Sequence, residues 1–325
     1  QAAGKTLEEF TKGWTDRFHA DSDRLNCLRP PIEPSAVRHI PQQVTMIEEL
    51  IEKGHAYPSD DGSVYFRIAS YPEYGELAHL DRQDLELGKT QNARADADEY
   101  EKDSLSDFVL WKARREEDGE NHWESPWGEG RPGWHLECSA MIRQYLGETF
   151  DLHSGGVDLV FPHHENEIAQ SKCACGGEFA RHWFHVTHLM VDGGKMSKSL
   201  GNLYTIDDLE AKGFTAMDLR YVLVGGHYRK PMNFTMDSMH AAREALAKLA
   251  RGERALAKAA GQDDPPKYRK LQGLDEHGVF EPAWEALNDD LNTATALGRV
   301  FTALRTAVTE GDALVNWTGL HVVLA

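Results

Sequence analysis

Between Gly133 and Asn202, helix-like and strand-like pieces alternate, and glycine turns separate them. No other feature constrains the fold as much. Strands that run parallel need a crossover between them, and a helix that makes the crossover covers one face of the sheet. The candidate strands are Thr149–His153 and Phe184–Val191. The expectation is an α/β core with a parallel sheet. At 325 residues the chain is long enough for two or three modules of about 100–150 residues, so this core is one part of a larger arrangement.

The flanks have other textures. Leu7, Phe10, Trp14 and Phe18 recur at spacings of three and four, which predicts an amphipathic helix. Pro30, Pro31 and Pro34 break the chain after it. A second helix follows, with Pro41 in its first turn and Met46, Ile47, Leu50 and Ile51 on its inner face. From Gly54 to Gly130 short strand candidates such as Ser63–Ile68 lie among turn signals, and Gln83–Lys102 is dense in charge. That stretch reads as an inserted subdomain. Beyond Ser238 the chain turns helical. Met239, Leu246, Leu249 and Leu256 share a helix that Thr235 or Asp237 caps, and a polar linker follows at Gly261–Lys270. Two further stripes, Trp284/Leu287/Leu291 and Leu297/Val300/Phe301/Leu304, complete a helical bundle.

Composition narrows the partners. The chain is 41% apolar and 27% charged, which is a globular balance. Lys plus Arg number 35 against 53 Asp plus Glu, a net charge of −18. This speaks against an overall basic coat for nucleic acid or an anionic membrane, but leaves room for a local basic track. No apolar run approaches the ~20 residues of a membrane span, and the N-terminus lacks the order of a signal peptide. Four cysteines outside any framework pattern fit a reducing compartment. The expectation is a cytoplasmic protein without membrane partners.

Three strings carry chemistry. In Gly194-Lys195-Met196-Ser197-Lys198-Ser199-Leu200-Gly201-Asn202, two lysines and two hydroxyls sit on a glycine-flanked loop after a predicted strand. Ammonium and hydroxyl groups there suit a triphosphate, whereas a bare Lys-x-x-Lys is ordinarily a solvated loop. In Phe161-Pro162-His163-His164-Glu165-Asn166-Glu167, a helix would place His163 and Glu167 on one face, as imidazole and carboxylate zinc ligands. The same string also reads as a helix start whose acids favour the dipole. In Gly133-Trp134-His135-Leu136-Glu137-Cys138, the cysteine supplies a thiolate ligand or is simply a buried small apolar group. Spacing alone does not join Cys138, His163 and Glu167 in one site.

Taken together, these strings resemble the cysteinyl-tRNA synthetases. The nine-residue loop contains the KMSKS signature of class I aminoacyl-tRNA synthetases. Asp107-Phe108-Val109-Leu110-Trp111-Lys112, Ser125-Pro126-Trp127-Gly128, Gly226-His227-Tyr228-Arg229 and Asp289-Asp290-Leu291-Asn292-Thr293 extend the likeness over nearly the whole chain. The resemblance implies a Rossmann-like catalytic domain with an inserted connective subdomain, followed by a helical bundle. It divides the chain into a helical part of the catalytic domain (1–53), the insertion (54–130), the second catalytic half with zinc site and KMSKS loop (131–200), a stem-contact connector (201–235) and the bundle (236–325). It implies one zinc per subunit on Cys138, His163 and Glu167, Trp134 beside the cysteine substrate, and Asp158 at the ATP ribose. It also implies Lys195 and Lys198 in catalysis at the phosphates, with Ser197 and Ser199 in ATP binding. Cys27 reads as structural and Cys173-x-Cys175 as an incidental pair.

The activity implied is that of a ligase. ATP, with Mg²⁺, activates L-cysteine to cysteinyl-adenylate, and the cysteinyl group passes to tRNA(Cys). Zinc in this reading selects the thiol, because a hydroxyl is a poorer ligand for a borderline-soft metal. The family is expected to be monomeric. Arg220, Arg229, Lys230 and the helix Arg243–Lys258 are candidates for the local basic track toward tRNA. The family's HIGH signature and its N-terminal zinc cysteine would precede Gln1, and its anticodon-binding region would follow Ala325, so the expectation is a fragment. Two rivals stand beside this reading. One is the cysteine ligase of mycothiol synthesis, whose helix generally lacks the acid at Glu167. The other is a non-catalytic, synthetase-like remnant.

Overall fold

Thr6 opens the first helix, α1 (Leu7–Arg24), through a capping box. Its hydroxyl accepts the Glu9 amide at 3.2 Å, while the Glu9 carboxylate accepts the Thr6 amide at 3.0 Å. The computed structural model describes residues 6–80, 94–95, 106–197, 200–265 and 276–324. The helix forms where the apolar spacing predicts it, yet Trp14 and Phe18 are each 65% exposed and α1 buries none of its residues. Its polar face makes the long-range contacts instead. Arg17 and Arg24 both pair with Asp207, and Arg24 also reaches Glu210.

Two compact units divide the chain: residues 30–186, and residues 1–29 together with 187–325. The 30–186 unit begins with α2 (Ile40–Glu52), whose Met46, Ile47 and Leu50 are buried as their spacing requires. Among the described residues five short strands follow: β1 (Ala56–Pro58), β2 (Val64–Phe66), β3 (Arg94–Ala95), β4 (Asp107–Ala113) and β5 (Gly130–Pro132). They form one sheet in which β3 runs parallel to β4 and the other pairs are antiparallel. The expected strand Ser63–Ile68 shortens to Val64–Phe66, because the chain turns into a single 3₁₀ turn at Ile68. Then come α3 (Trp134–Leu146), β6 (Thr149–Gly156), α4 (Glu165–Cys175) and β7 (Phe179–Val186). β6 and β7 pair in parallel with α4 as their crossover, which is the α/β signature the sequence suggests. One core joins Phe66, Phe108, Leu110 and Trp111 from the sheet with Leu50 of α2, Leu136 of α3 and Ala169 of α4.

The candidate strand Phe184–Val191 is in fact two strands. β7 stops at Val186, and β8 (Leu189–Val191) starts after Thr187 and His188. The hydrogen bonding explains the break. The Thr187 amide leaves the β6 ladder to donate to the Tyr228 carbonyl at 2.9 Å, and the His188 carbonyl accepts the Met232 amide at 3.2 Å. The rest of this second unit comprises β9 (Gly194–Lys195), α5 (Ile206–Ala211), α6 (Ala216–Val224), β10 (Met232–Phe234) and α7 (Met236–Ala260). It ends with α8 (Glu281–Asn288), α9 (Thr293–Ala303) and α10 (Ala313–Leu324). Thr205, Thr215 and Thr235 each close a capping box at the start of α5, α6 and α7, so Thr235 rather than Asp237 caps the long helix.

Leu256, Phe280, Val300, Trp317 and Leu320 form the core of the bundle. Leu291 departs from its expected stripe. It lies between α8 and α9 with φ +50° and is 52% exposed, while Ala283 and Ala286 fill the buried face of α8. Among the described residues, no helix is long and apolar enough to cross a membrane.

Candidate active site

The first half of the site grows from the junction of β5 and α3. Gly133 ends β5's run and opens α3, and a β-carbon there would drive into the Val109 carbonyl of β4. Only a residue without one lets the helix start so close to the sheet. The first two turns of α3 then present Trp134, His135 and Cys138. Trp134 and Cys138, four residues apart, share a face.

The second half lies at the start of α4. An irregular turn, Val160–His164, with a cis Phe161–Pro162 bond, leads into the helix and keeps His163 and Glu167 together. Ser139 of α3 donates to Gln170 Oε1 of α4 at 2.8 Å, tying the two helices beneath the site. Cys138, His163 and Glu167 thereby converge, their ligand atoms all within 4.8 Å of one another. His153 from β6 and His164 form an overlapping group around the same Glu167 carboxylate.

Glu167 is fully buried. Its Oε2 accepts a hydrogen bond from His153 Nε2. Its Oε1 lies 2.9 Å from His163 Nε2, but the two do not form a hydrogen bond, and Oε1 is buried without a hydrogen-bond partner. An orphaned carboxylate oxygen of this kind is costly unless something else occupies its lone pairs. A cation held by Cys138, His163 and Glu167 would satisfy it, and thiolate, imidazole and carboxylate form a donor set suited to zinc. Burial works to raise the Glu167 carboxyl, and the two imidazoles beside it outweigh burial, so the group sits below the usual carboxylate range. Burial, followed by the Glu167 charge, pushes the Cys138 thiol strongly up. Without a metal that cysteine is a thiol, not a thiolate.

Aromatic rings enclose the triad. Trp134, 37% exposed, stacks on His163 with ring centroids 4.2 Å apart. His135 Nδ1 lies 2.8 Å from His163 Nδ1, and His164 Nδ1 lies 2.8 Å from His185 Nε2. Trp183 packs against His153, His164 and His185. Burial lowers the His164 pKa to about 3, so that ring is neutral. The sequence reading missed the parts played by His153, His164 and His185. The available signal was histidine on the two paired strands, His153 on β6 directly opposite Trp183 on β7.

The His-His-Glu-Asn-Glu string divides by role. Glu165 accepts the Gly75 and Ala78 amides at 2.8 and 2.7 Å, and Asn166 Oδ1 accepts the Tyr74 hydroxyl at 2.6 Å. These two fix the loop after β2 and take no part in the ligand set. Asp158 is exposed, in the 3₁₀ turn that follows β6. Cys27 is exposed and Cys173 buried, the latter thiol raised by burial to about 12.

The phosphate-loop candidates belong to the other unit. β8 and β9 form a hairpin through Asp192-Gly193, both with positive φ, as a tight two-residue turn requires. Lys195 is exposed at the end of β9, and Met196 packs toward Val191, Leu209 and Phe234. Asn202 braces the loop from both sides. Its Oδ1 accepts the Ser197 amide at 2.8 Å, and its Nδ2 donates to the Lys195 carbonyl at 3.1 Å. Lys198 and Ser199 lie outside the described residues. Three of the arginines considered for a basic track are engaged elsewhere. Arg220 donates to the Leu25 and Asn26 carbonyls, Arg229 forks onto Asp290, and Arg243 donates to the Gly213 carbonyl.

Comparison with solved structures gives the fold class. The chain superposes on methionyl-tRNA synthetase of Mycobacterium tuberculosis in complex with methionyl-adenylate with a TM-score of 0.64, covering 99% of this chain and 77% of that one at 15% identity. The architecture is that of a class I synthetase catalytic domain. Over residues 1–244 the sequence matches, and the chain belongs to, the family described as tRNA synthetases class I (C) catalytic domain. Among curated relatives, the cysteine--tRNA ligase of Opitutus terrae is 54% identical over 95% of this chain and 65% of its own length. That of Chlamydia pneumoniae is 46% identical over 91% of this chain and 61% of its own length. The chain thus spans less than two thirds of the length of these relatives.

Proposed function

We propose that the protein is a cysteine--tRNA ligase, which activates L-cysteine with ATP and transfers it to tRNA(Cys). The observation that carries the reading is the convergence of Cys138, His163 and the orphaned Glu167 oxygen, in a chain 54% identical to one such ligase. In the first step a carboxylate oxygen of cysteine attacks the α-phosphorus of ATP, and the bond to the departing pyrophosphate breaks. In the second a terminal ribose hydroxyl of the tRNA attacks the cysteinyl carbonyl, and AMP leaves. Neither step needs a covalent bond to the protein. The work is alignment and charge stabilisation.

The residues divide that work. Lys195 and Lys198, with the Ser197 and Ser199 hydroxyls, meet the phosphates of ATP, which enters with Mg²⁺. Asp158 accepts from the ATP ribose. Trp134 walls the cysteine subsite over His163. Cys138, His163 and Glu167 would hold one zinc ion, whose borderline-soft character would favour the substrate thiolate over a serine hydroxyl. A site built on one such contact rejects the wrong substrate by about 10⁴–10⁵ without editing. Residues 54–130 are assigned as the connective insertion, 201–235 as the connector to the tRNA stem and 236–325 as the bundle, in a monomeric cytoplasmic enzyme.

The test is cysteine-dependent ATP–pyrophosphate exchange, followed by charging of tRNA(Cys), with the full-length protein. Both activities are expected. Exchange without charging of any tRNA would favour a small-molecule cysteine ligase, and neither activity would leave a non-catalytic relative.

A further inference from the structure

We propose that His135 is a positioning residue for this site: by accepting the Nδ1 proton of His163, it fixes the tautomer that turns a bare Nε2 toward Cys138 and Glu167. The inference rests on the metal site proposed above and adds a residue outside its ligand set.

The two Nδ1 atoms are 2.8 Å apart, and both rings are buried. At that distance one nitrogen must carry a hydrogen and the other a lone pair, because two N–H groups would clash and two lone pairs would repel. There are two assignments. If His135 donates, His163 Nδ1 is bare and its proton sits on Nε2, 2.9 Å from Glu167 Oε1. A charge-assisted hydrogen bond to that buried carboxylate would then be expected. The geometry does not make it, and Glu167 Oε1 has no hydrogen-bond partner. If His163 donates, its Nε2 is a lone pair facing Cys138 and Glu167. Two lone-pair donors then face one another with nothing between them, which is the arrangement a cation fills.

The surroundings hold this assignment in place. Trp134 stacks on the His163 ring, and Phe108 meets the His135 ring edge-to-face at 6.2 Å, so neither ring is free to turn. His153 occupies Glu167 Oε2, leaving Oε1 as the oxygen that faces His163. An outer partner that fixes the tautomer of a metal-bound histidine raises its basicity, and its loss typically weakens metal binding about 10–100-fold.

The experiment uses the full-length protein, with zinc affinity measured by chelator competition. Three variants separate positioning from packing. In His135→Asn, the side-chain oxygen stands where Nδ1 stood and keeps the acceptor. His135→Gln places its oxygen near the former Nε2, and His135→Leu has none. The Asn variant should bind zinc close to the unmodified affinity, and the Gln and Leu variants about 10–100-fold more weakly. A purely structural role would make Asn and Gln equally harmful, and that result overturns the proposal. Imidazole ¹⁵N spectra of the unmodified, zinc-loaded protein give a readout independent of folding of the variants. The proposal expects His163 protonated at Nδ1 and metal-bound at Nε2, with His135 bare at Nδ1; zinc on His163 Nδ1, or a proton on His135 Nδ1, refutes it. Zinc bound with the same affinity in all three variants sinks this inference alone. No zinc in the unmodified protein sinks the metal reading with it.

Discussion

The Gly133 amide donates to the Leu110 carbonyl at 2.8 Å, stitching the first turn of α3 to the central strand β4. Leu110 is fully buried, so the contact fixes the helix start against the buried middle of the sheet. Trp134, His135 and Cys138 follow within five residues. This backbone contact, which leaves no room for a side chain, helps to set the position of the site's thiol and of the ring behind His163.

Gly133→Ala tests that dependence. Its methyl group meets the Val109 carbonyl, so either the strand or the helix start must shift. Overpacking of this kind costs about 1–3 kcal/mol, read as a lower midpoint in urea unfolding. Zinc affinity should fall as well, since Cys138 moves with the helix. A variant with unchanged midpoint and affinity would show that α3 is positioned by something else.

Removing the thiol is more direct. Cys138→Ser keeps the shape and replaces a soft ligand with a hydroxyl. If four ligands share the ~10–16 kcal/mol of a structural zinc site, the loss of one should weaken binding on the order of 10²-fold or more. Stability of the zinc-free protein should barely change, because the Cys138 thiol carries no charge there. Metal content by mass spectrometry after dialysis is the check. Full zinc retention would remove Cys138 from the ligand set.

How far the site could be read in advance follows from where its information lies. The apolar stripes of α2 and α7 are local and appear directly in the sequence, as does the hydroxyl cap at Thr235, whereas the same caps at Thr205 and Thr215 emerge only in the structure. The stripe on α1 predicts a helix but not burial, since periodicity reports a face and says nothing of what covers it. The β7–β8 break could not be read, because it depends on Tyr228 and Met232, about forty residues further on, competing for the strand's hydrogen bonds. Cys138, His163 and Glu167 are recognisable as ligand types, and only the packing of α3 on α4 joins them. The histidine layer behind them was missed, because histidines on β6 and β7 become a signal only once the pairing of those two strands is known.

Asp290 offers a pH test. Its carboxylate accepts from both Tyr228 and Arg229, linking the segment before β10 to the α8–α9 turn, and these bonds, the Arg229 one first, hold its pKa at about 2. The folded value lies below the ordinary ~3.9 of an unfolded aspartate. The tether's contribution is thus full above about pH 4 and fades as pH falls toward 2. Because the pair is exposed, the effect on overall stability is small. Carboxyl ¹³C titration should place the Asp290 midpoint well under that of a free aspartate. An ordinary midpoint would mean that the fork does not persist in solution.

Asn202 is where the candidate phosphate loop can be loosened without touching a lysine. Its side chain holds both the Lys195 carbonyl and the Ser197 amide, so the backbone on either side of Met196 is clamped by one residue. In the proposed function, the Lys195 ammonium and Ser197 hydroxyl stabilise charge on the phosphates only if the loop is already shaped for them. Asn202→Ala removes two hydrogen bonds at about 1 kcal/mol each, so pyrophosphate exchange should slow by roughly 10–30-fold, mainly in kcat. Asn202→Asp keeps the acceptor for Ser197 and loses the donor to Lys195, and should fall between the two. Zinc affinity should stay unchanged in both, because Asn202 and the candidate zinc ligands Cys138, His163 and Glu167 belong to separate compact units. A fall in zinc affinity, or exchange unaffected by Asn202→Ala, would deny the clamp a role in ATP activation.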